Sequence, residues 1–198
     1  MSMSRYTWRG LDDPSRVDQV NVTIDDQGMH AFGTATSDTF ATVWRLEVDV
    51  DWVTRRLEVT SRGFAWSRNL VLDRSPDGIW TARTDATGGA DLPAPGLADP
   101  GTVIGARDCD LGLCPLTNTM PIRRLGLLDG DVSETPLVMA WVDVPSLRVV
   151  RSDQGYASAG PGRIRFRSYN SDFQAELDVD RDGIVIDYPD LATRIDDR

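Results

Sequence analysis

The densest group of chemically capable side chains lies in residues 107–125, which we name the central segment. Written ARDCDLGLCPLTNTMPIRRL from Ala106, it holds both cysteines, two aspartates, an asparagine and a pair of arginines. Side chains of these types hold metals, bind polar ligands or transfer protons. The segment follows neither the helical nor the strand period, whereas most of the chain alternates. We therefore expect it to carry unusual backbone and a candidate site.

No catalytic residue is predicted. His30 is the single histidine, and it lies in an alternating run typical of a strand, so a structural role is favoured for it. A hydrolytic triad would need that histidine beside a nucleophile, and the Gly-x-Ser-x-Gly motif is absent from the sequence. The many carboxylates occupy the polar positions of alternating strands, so they indicate solvation and assign no acid–base pair.

The two cysteines leave a zinc site open as an alternative. Cys109 and Cys114 would supply two ligands at an unusual spacing, and Asp108 or Asp110 could complete the set. The favoured interpretation is that both are free thiols, because unpaired cysteines usually behave as small buried apolar residues. We therefore predict no metal and no cofactor.

The arginine pair predicts one inward guanidinium and one outward guanidinium that meets an Asp or Glu on the surface. If the central segment is extended at Arg123 and Arg124, adjacent side chains point to opposite sides. A buried arginine needs a carboxylate partner, and Asp108 or Asp110 is the local candidate. A structural salt bridge and a contact with a ligand are both compatible with this pattern.

Length and charge limit the class of protein. The chain has 198 residues and is 40% hydrophobic, which suits a single domain spanning 1–198. Its net charge of -10 repels nucleic acid, so we expect no nucleic-acid partner. The first residues lack the apolar region of a secretory signal, and no stretch is long enough to span a membrane. A cytoplasmic protein without stable membrane insertion is expected, and its oligomeric state is not predicted.

Alternation predicts strands along most of the chain. The clearest run is 43–52, which places apolar and aromatic side chains on one face and charged ones on the other. Turn signals between successive runs indicate an antiparallel meander. The inward side chains of the clearest run are Trp44, Leu46, Val48, Val50 and Trp52.

The second half of the chain continues the pattern. The runs 163–167 and 173–179 carry opposite charges outward, and such cross-strand pairs stabilise one register. The end of the chain predicts a strand followed by a short helical tail. About ten strands and one or two short helices indicate an all-β fold, a single curved antiparallel sheet that forms a barrel or half-barrel. Sheets of this size commonly enclose a cavity for an apolar ligand.

The central segment also resembles the signature of a bacterial glycolipid-binding family. Residues 108–111 (DCDL) and 115–125 (PLTNTMPIRRL) are similar to the family pattern D-x-D-[LI], then P-[FL]-T-N-T-[LM]-P-I-R-R-L. Shorter matches follow the same order along nearly the whole chain: DWVTR at 51–55, QGY at 154–156 and DGIVIDYP at 182–189. The chain departs from the pattern at Cys114, where a hydroxyl residue is usual, and at Asp190, where glycine is usual.

The resemblance implies a fold like that of lipoprotein localisation factors and lipid-carrying lipoproteins, a curved sheet around an apolar cavity with short helices in its mouth. The leading hypothesis is a non-enzymatic protein that binds a lipid or glycolipid. The tail would lie against the inward face of the clearest strand, including Trp44, Leu46, Val48 and Trp52. The polar head would meet Asn118, Arg123 or Arg124.

Two other functions stay open from the sequence. An enzyme acting on a small apolar substrate would use Asp110, Arg124 and Tyr156 as polar groups of the same cavity, and it requires a strongly shifted pKa at Asp110. A domain with a structural role and no ligand is the other alternative.

Overall fold

The computed structural model describes residues 3–195, and its main feature is one long sheet. Seven strands in the first half of the chain form a meander in which each strand pairs antiparallel with the next. The predicted meander is thereby confirmed. Its strands are β1 (Met3–Gly10), β2 (Val17–Asp25), β3 (Gly28–Thr36), β4 (Ala41–Val48), β5 (Thr54–Gly63), β6 (Trp66–Arg74) and β7 (Trp80–Gly88).

The second half adds eight strands and two short helical pieces. The strands are β8 (Gly96–Leu97), β9 (Asp108–Leu111), β10 (Thr135–Val142), β11 (Arg148–Ser158), β12 (Arg163–Ser168), β13 (Gln174–Val179), β14 (Val185–Tyr188) and β15 (Ala192–Arg194). A 3₁₀ turn spans Pro115–Asn118 and the helix α1 spans Thr119–Arg124. β15 pairs with β1 and joins the halves, while β7 and β9 are the two ends of the strand order. The all-β curved sheet is confirmed, but it does not close into a barrel.

The clearest predicted strand is shorter than its alternation suggested. β4 ends at Val48, because Asp49 Oδ1 accepts hydrogen bonds from the backbone N–H groups of Asp51 and Val53, each at 3.0 Å. This side-chain turn replaces the ladder hydrogen bonds that would extend the strand. Trp52 then takes a φ of 57°, so it no longer shares the face of β4, and Val50 is exposed. The predicted continuation to residue 52 is wrong.

The predicted charge pairing between two later strands is confirmed. Arg163 lies opposite Asp178 and Arg165 opposite Glu176 in the β12–β13 register, with nitrogen–oxygen distances of 3.6 Å in both pairs. A slip of one residue would place every one of these charges on the other face of the sheet. The pairs therefore support the observed register.

The predicted helical tail is wrong within the described residues. Ala192–Arg194 is the strand β15, which pairs with both β14 and β1. The free edge of β1 gains ladder hydrogen bonds from it, which a helical tail could not supply. Residues 196–198, the remainder of that prediction, lie outside the described residues.

Inward side chains of the sheet and the central segment together form the core. A large cluster joins the meander to the central segment, and a second cluster lies under β11–β14. Three side chains show how far the first cluster extends around the sheet, since all are almost fully buried: Trp8, Leu57 and Leu116.

Candidate functional site

The central segment enters the core as a strand, a 3₁₀ turn and a short helix. β9 lies parallel to β10, with Asp108 opposite Met139. Pro115 begins the 3₁₀ turn and Pro121 lies in the first turn of α1, positions where a backbone N–H has no partner within the helix. Each proline therefore fits without losing a hydrogen bond. The fully buried apolar side chains of these two pieces are Leu116, Met120 and Ile122.

The two arginines at the end of α1 take different positions, as predicted, although the backbone there is helical and not extended. Arg124 turns inward and donates to both carboxylate oxygens of Asp108, with 2.5 Å between Nη2 and Oδ2. It also donates to the carbonyl of Trp52 at 2.9 Å. Burial raises the pKa of Asp108, and the Arg124 guanidinium opposes that rise. Arg123 stays near the surface, where its guanidinium lies 4.8 Å from the centre of the Trp52 ring and, among the described residues, not in an ion pair with the Asp or Glu that was expected.

A cleft of about 530 Å³ lies beside the central segment, and we name it the first cleft. It opens where β10 turns into β11 and where β12 turns into β13. This volume falls in the range of small-molecule sites. The apolar side chains of its wall include Trp141, Val150, Phe166, Phe173, Tyr188 and Leu191, and the polar ones include Asp110, Asn118, Arg151, Ser152, Ser168 and Gln154.

Asp110 is one of two carboxylates in the wall of the first cleft, the other being Asp143. Its Oδ1 accepts a hydrogen bond from Thr117 Oγ1 at 3.0 Å, and its Oδ2 accepts one from Gln154 Nε2 at 2.7 Å. Burial raises the pKa of Asp110, and these two donors partly offset the rise. The side chain is thus fixed in place, with further lone pairs on both oxygens for a ligand.

Tyr156 contacts two residues of the first cleft wall, Asn118 and Gln154, without lining the cleft itself. Its buried hydroxyl donates to Asn118 Oδ1 at 2.9 Å and lies 3.2 Å from Gln154 Oε1. Asn118 Nδ2 in turn donates to the carbonyl of Pro115 at 3.1 Å. Burial, and then the nearby charge of Asp110, raise the pKa of Tyr156 well above its ordinary value. The tyrosine therefore stays protonated and orients two amides of the wall.

The aromatic strand that the sequence analysis singled out lies elsewhere. Trp44, Leu46 and Val48 are 2% exposed or less and belong to the core, not to the wall of the first cleft. Trp52 packs against the same core and contacts Arg123 and Arg124. Of the nine predicted site residues, the structure brings two, Asp110 and Asn118, into the wall of the first cleft.

Sequence reasoning missed most of the cleft wall. Gln154 was visible only as part of the QGY match, although strand alternation puts it on the same face of β11 as Tyr156. Phe166, Phe173 and Tyr188 come from three different elements, and they meet as an aromatic group with centroid distances of 5.8 to 6.2 Å. Only the pairing of β11 to β14 brings them together, so no local pattern indicates the group.

Both cysteines are free and buried, as predicted. Thr54 Oγ1 accepts a hydrogen bond from the backbone N–H of Cys109 at 3.0 Å, and it lies 3.6 Å from the sulfur. Burial raises the pKa of Cys109 to about 12 and raises that of Cys114 further. Both groups are therefore protonated thiols and poor nucleophiles at neutral pH.

Over the part of the chain that the structure describes, no three His, Cys, Asp or Glu side chains are grouped so that they could hold a metal ion. Within residues 3–195 no helix has the length and apolar character needed to cross a membrane.

Comparison with known proteins extends these observations. A family model described as "Putative glycolipid-binding" matches residues 5–194. The crystal structure of a DUF1089 family protein from Pseudomonas aeruginosa superposes with a TM-score of 0.70 at 26% sequence identity, and the match covers 90% of this chain and 92% of that one. No curated protein matches the chain.

Proposed function

The chain belongs to the family described as "Putative glycolipid-binding", and we propose that it binds an uncharged glycolipid in the first cleft. The observation that carries this proposal is the division of the cleft wall into an aromatic side and a hydrogen-bonding side next to Asp110. An amphiphile with an apolar tail and a hydroxylated head matches both sides at once.

The tail would lie against the aromatic side. Phe166, Phe173 and Tyr188 supply rings in edge-on and stacked arrangements, and Trp141 adds an indole from β10. Apolar surface of this kind contributes roughly 25 cal/mol per Å² that a ligand removes from water. Trp44, Leu46 and Val48 belong to the core and do not line the first cleft, so we do not expect them to contact the tail.

The head is proposed to be a sugar because the cleft offers acceptors and hydroxyls. The carboxylate of Asp110 accepts from sugar hydroxyls, and the side chains of Ser152 and Ser168 exchange hydrogen bonds with them. Gln154 Nε2 donates to Asp110 Oδ2 at 2.7 Å and to Ser152 Oγ at 3.2 Å, so it holds these two groups in fixed positions. A head of several hydroxyls satisfies donors and acceptors together.

The charges of the cleft disfavour a phosphate head. Among the described residues that line it, Arg151 is the single cation, and Asp153 holds its guanidinium through contacts of 2.6 to 3.0 Å. Asp110 and Asp143 are the carboxylates of the wall. An anionic lipid would therefore meet net negative charge, which favours a neutral glycolipid over a phospholipid.

The test is calorimetric titration with octyl glucoside below its micelle concentration. Ser152→Phe places a ring in the cleft, so we expect it to weaken binding at least tenfold, whereas octyl phosphate should bind wild type poorly. Thr36→Phe, which adds the same ring on the exposed face of β3, is the matched control. Equal affinity for octyl glucoside in wild type and Ser152→Phe, or no binding in wild type, would reject the proposal.

Asp110 also favours a second candidate, an enzyme acting on a small apolar substrate. Burial raises the pKa of Asp110, which agrees in direction with that hypothesis, and the carboxyl lies in the wall of a cleft. Hydrolysis of 4-nitrophenyl octanoate that is lost in Asp110→Asn, with octyl glucoside affinity retained, would support this candidate. If Asp110→Asn changes only stability, neither a catalytic nor a binding role for this carboxylate survives.

A further inference from the structure

A second cleft of about 500 Å³ lies at the opposite ends of the strands, where β6 turns into β7. Its wall shares no residue with the first cleft. Two large apolar side chains stand exposed on it, Ile79 at 63% and Ile104 at 74%, and Trp80 and Pro100 complete the apolar surface. Exposed isoleucines beside a concave surface indicate a site for an apolar group.

The second cleft also contains a guanidinium group without a carboxylate. Arg74 is half-buried, and its Nε donates to the carbonyl of Ala106 at 3.0 Å. Among residues 3–195, no carboxylate lies within 4.0 Å of Arg74, and its terminal nitrogens have no hydrogen-bond partner. Asp77 lines the same cleft but forms no ion pair with it. The outer edge of the guanidinium is therefore open to a ligand.

Neighbouring charges make this position unfavourable for a lone cation. Burial lowers the pKa of Arg74, and repulsion from Arg107 and Arg55 lowers it further. Two carboxylates, Asp108 and Asp49, act in the opposite direction, but each is paired with another arginine: Asp49 with Arg55 at 2.6 Å and Asp108 with Arg124. The negative charge of a bound anion would favour the charged guanidinium, and so it would oppose both the effect of burial and the repulsion from the two arginines.

We propose that the second cleft binds a small amphiphilic anion, a medium-chain carboxylate, with its carboxylate on Arg74 and its hydrocarbon chain against Ile79 and Ile104. The planar fork of a guanidinium matches the two oxygens of a carboxylate. The exposed isoleucines lie beside that fork in one wall, so a ligand about eight carbons long can reach both. This site is independent of glycolipid binding in the first cleft.

Calorimetric titration with octanoate tests the proposal, with octanol as the uncharged analogue. Arg74→Met keeps an unbranched apolar side chain and removes the guanidinium charge, so octanoate affinity should fall about tenfold or more while octanol affinity is unchanged. The fold should survive, because Trp80 Nε1 still donates to the carbonyl of Ala106 at 3.0 Å. Arg62→Met removes an exposed arginine at the other end of the strands and should leave octanoate binding as in wild type.

A second variant tests whether a loss of octanoate binding in Arg74→Met comes from the missing guanidinium and not from a change of structure. Ile104→Glu changes an exposed side chain, so it leaves the core intact, and its carboxylate should weaken octanoate binding about tenfold. The proposal is overturned if octanoate fails to bind wild type at millimolar concentration, or if Arg74→Met and Ile104→Glu both bind it normally. Loss of octanoate binding in Ser152→Phe would also overturn it, because the ligand would then occupy the first cleft.

Discussion

Replacing Arg124 by methionine is expected to lower the free energy of unfolding by about 3–5 kcal/mol. The side chains of Arg124 and Asp108 are 9% and 1% exposed, and both carboxylate oxygens accept from the guanidinium. The substitution leaves a buried carboxylate without its partner and frees the Trp52 carbonyl. Urea unfolding at pH 7 measures the change. At a slope of about 3 kcal/mol per molar urea, the midpoint should fall by more than about 1 M.

Two further variants decide whether burial is the cause. Combining Arg124→Met with Asp108→Leu removes both charges, so most of the lost stability should return. Arg165→Met breaks the exposed pair with Glu176, where both side chains are 50% exposed, and should cost at most about 1 kcal/mol. If Arg124→Met is no less stable than Arg165→Met, or if the double variant is as unstable as Arg124→Met alone, the account of the buried pair is wrong.

Two other measurements follow from buried titratable groups. Desolvation raises the pKa of Asp18 from 3.8 to about 6 against the opposing effect of Arg16, so the native state binds the proton more tightly than the unfolded state. Its contribution to stability is complete below about pH 3.8 and is lost as pH rises through 6, which amounts to roughly 3 kcal/mol. Asp18→Asn should therefore show a weaker loss of stability over that interval than wild type in urea titrations, and an identical pH dependence would contradict the shift. Cys109 and Cys114 should resist Ellman's reagent at pH 8 in the native protein and both react in urea; fast labelling of native protein would show that they are accessible.

The sheet could be predicted from the sequence because apolar and polar residues that alternate within a short run indicate a strand. The runs that became β12 and β13 keep apolar and polar positions apart, and charge pairs such as Arg163 with Asp178 indicate their register. The end of β4 could not be predicted in this way. There the carboxylate of Asp49 accepts hydrogen bonds from two backbone N–H groups, so the strand ends although apolar and polar residues continue to alternate.

The candidate site was less accessible to sequence reasoning because its parts are distant along the chain. Asp110 and Asn118 were found through the unusual composition of the central segment. The aromatic wall depends on the pairing of four strands, and the side of the sheet on which the cavity lies depends on where the central segment packs. The assumption of extended backbone at the arginine pair was wrong, because these residues end the helix α1, whose proline, Pro121, occupies a position that a first helical turn tolerates.

The D-x-D spacing of the central segment has a physical reason in this fold. Residues two apart on a strand share one face, so Asp108 and Asp110 both reach the 3₁₀ turn and α1 through their hydrogen bonds, while Cys109 and Leu111 join the large apolar cluster of the core. The first carboxylate meets Arg124 and fixes α1; the second meets Thr117 and Gln154 and remains at the wall of the first cleft. One short strand thus separates the group that stabilises the segment from the group that can contact a ligand. Substitutions at the two aspartates should therefore affect different properties.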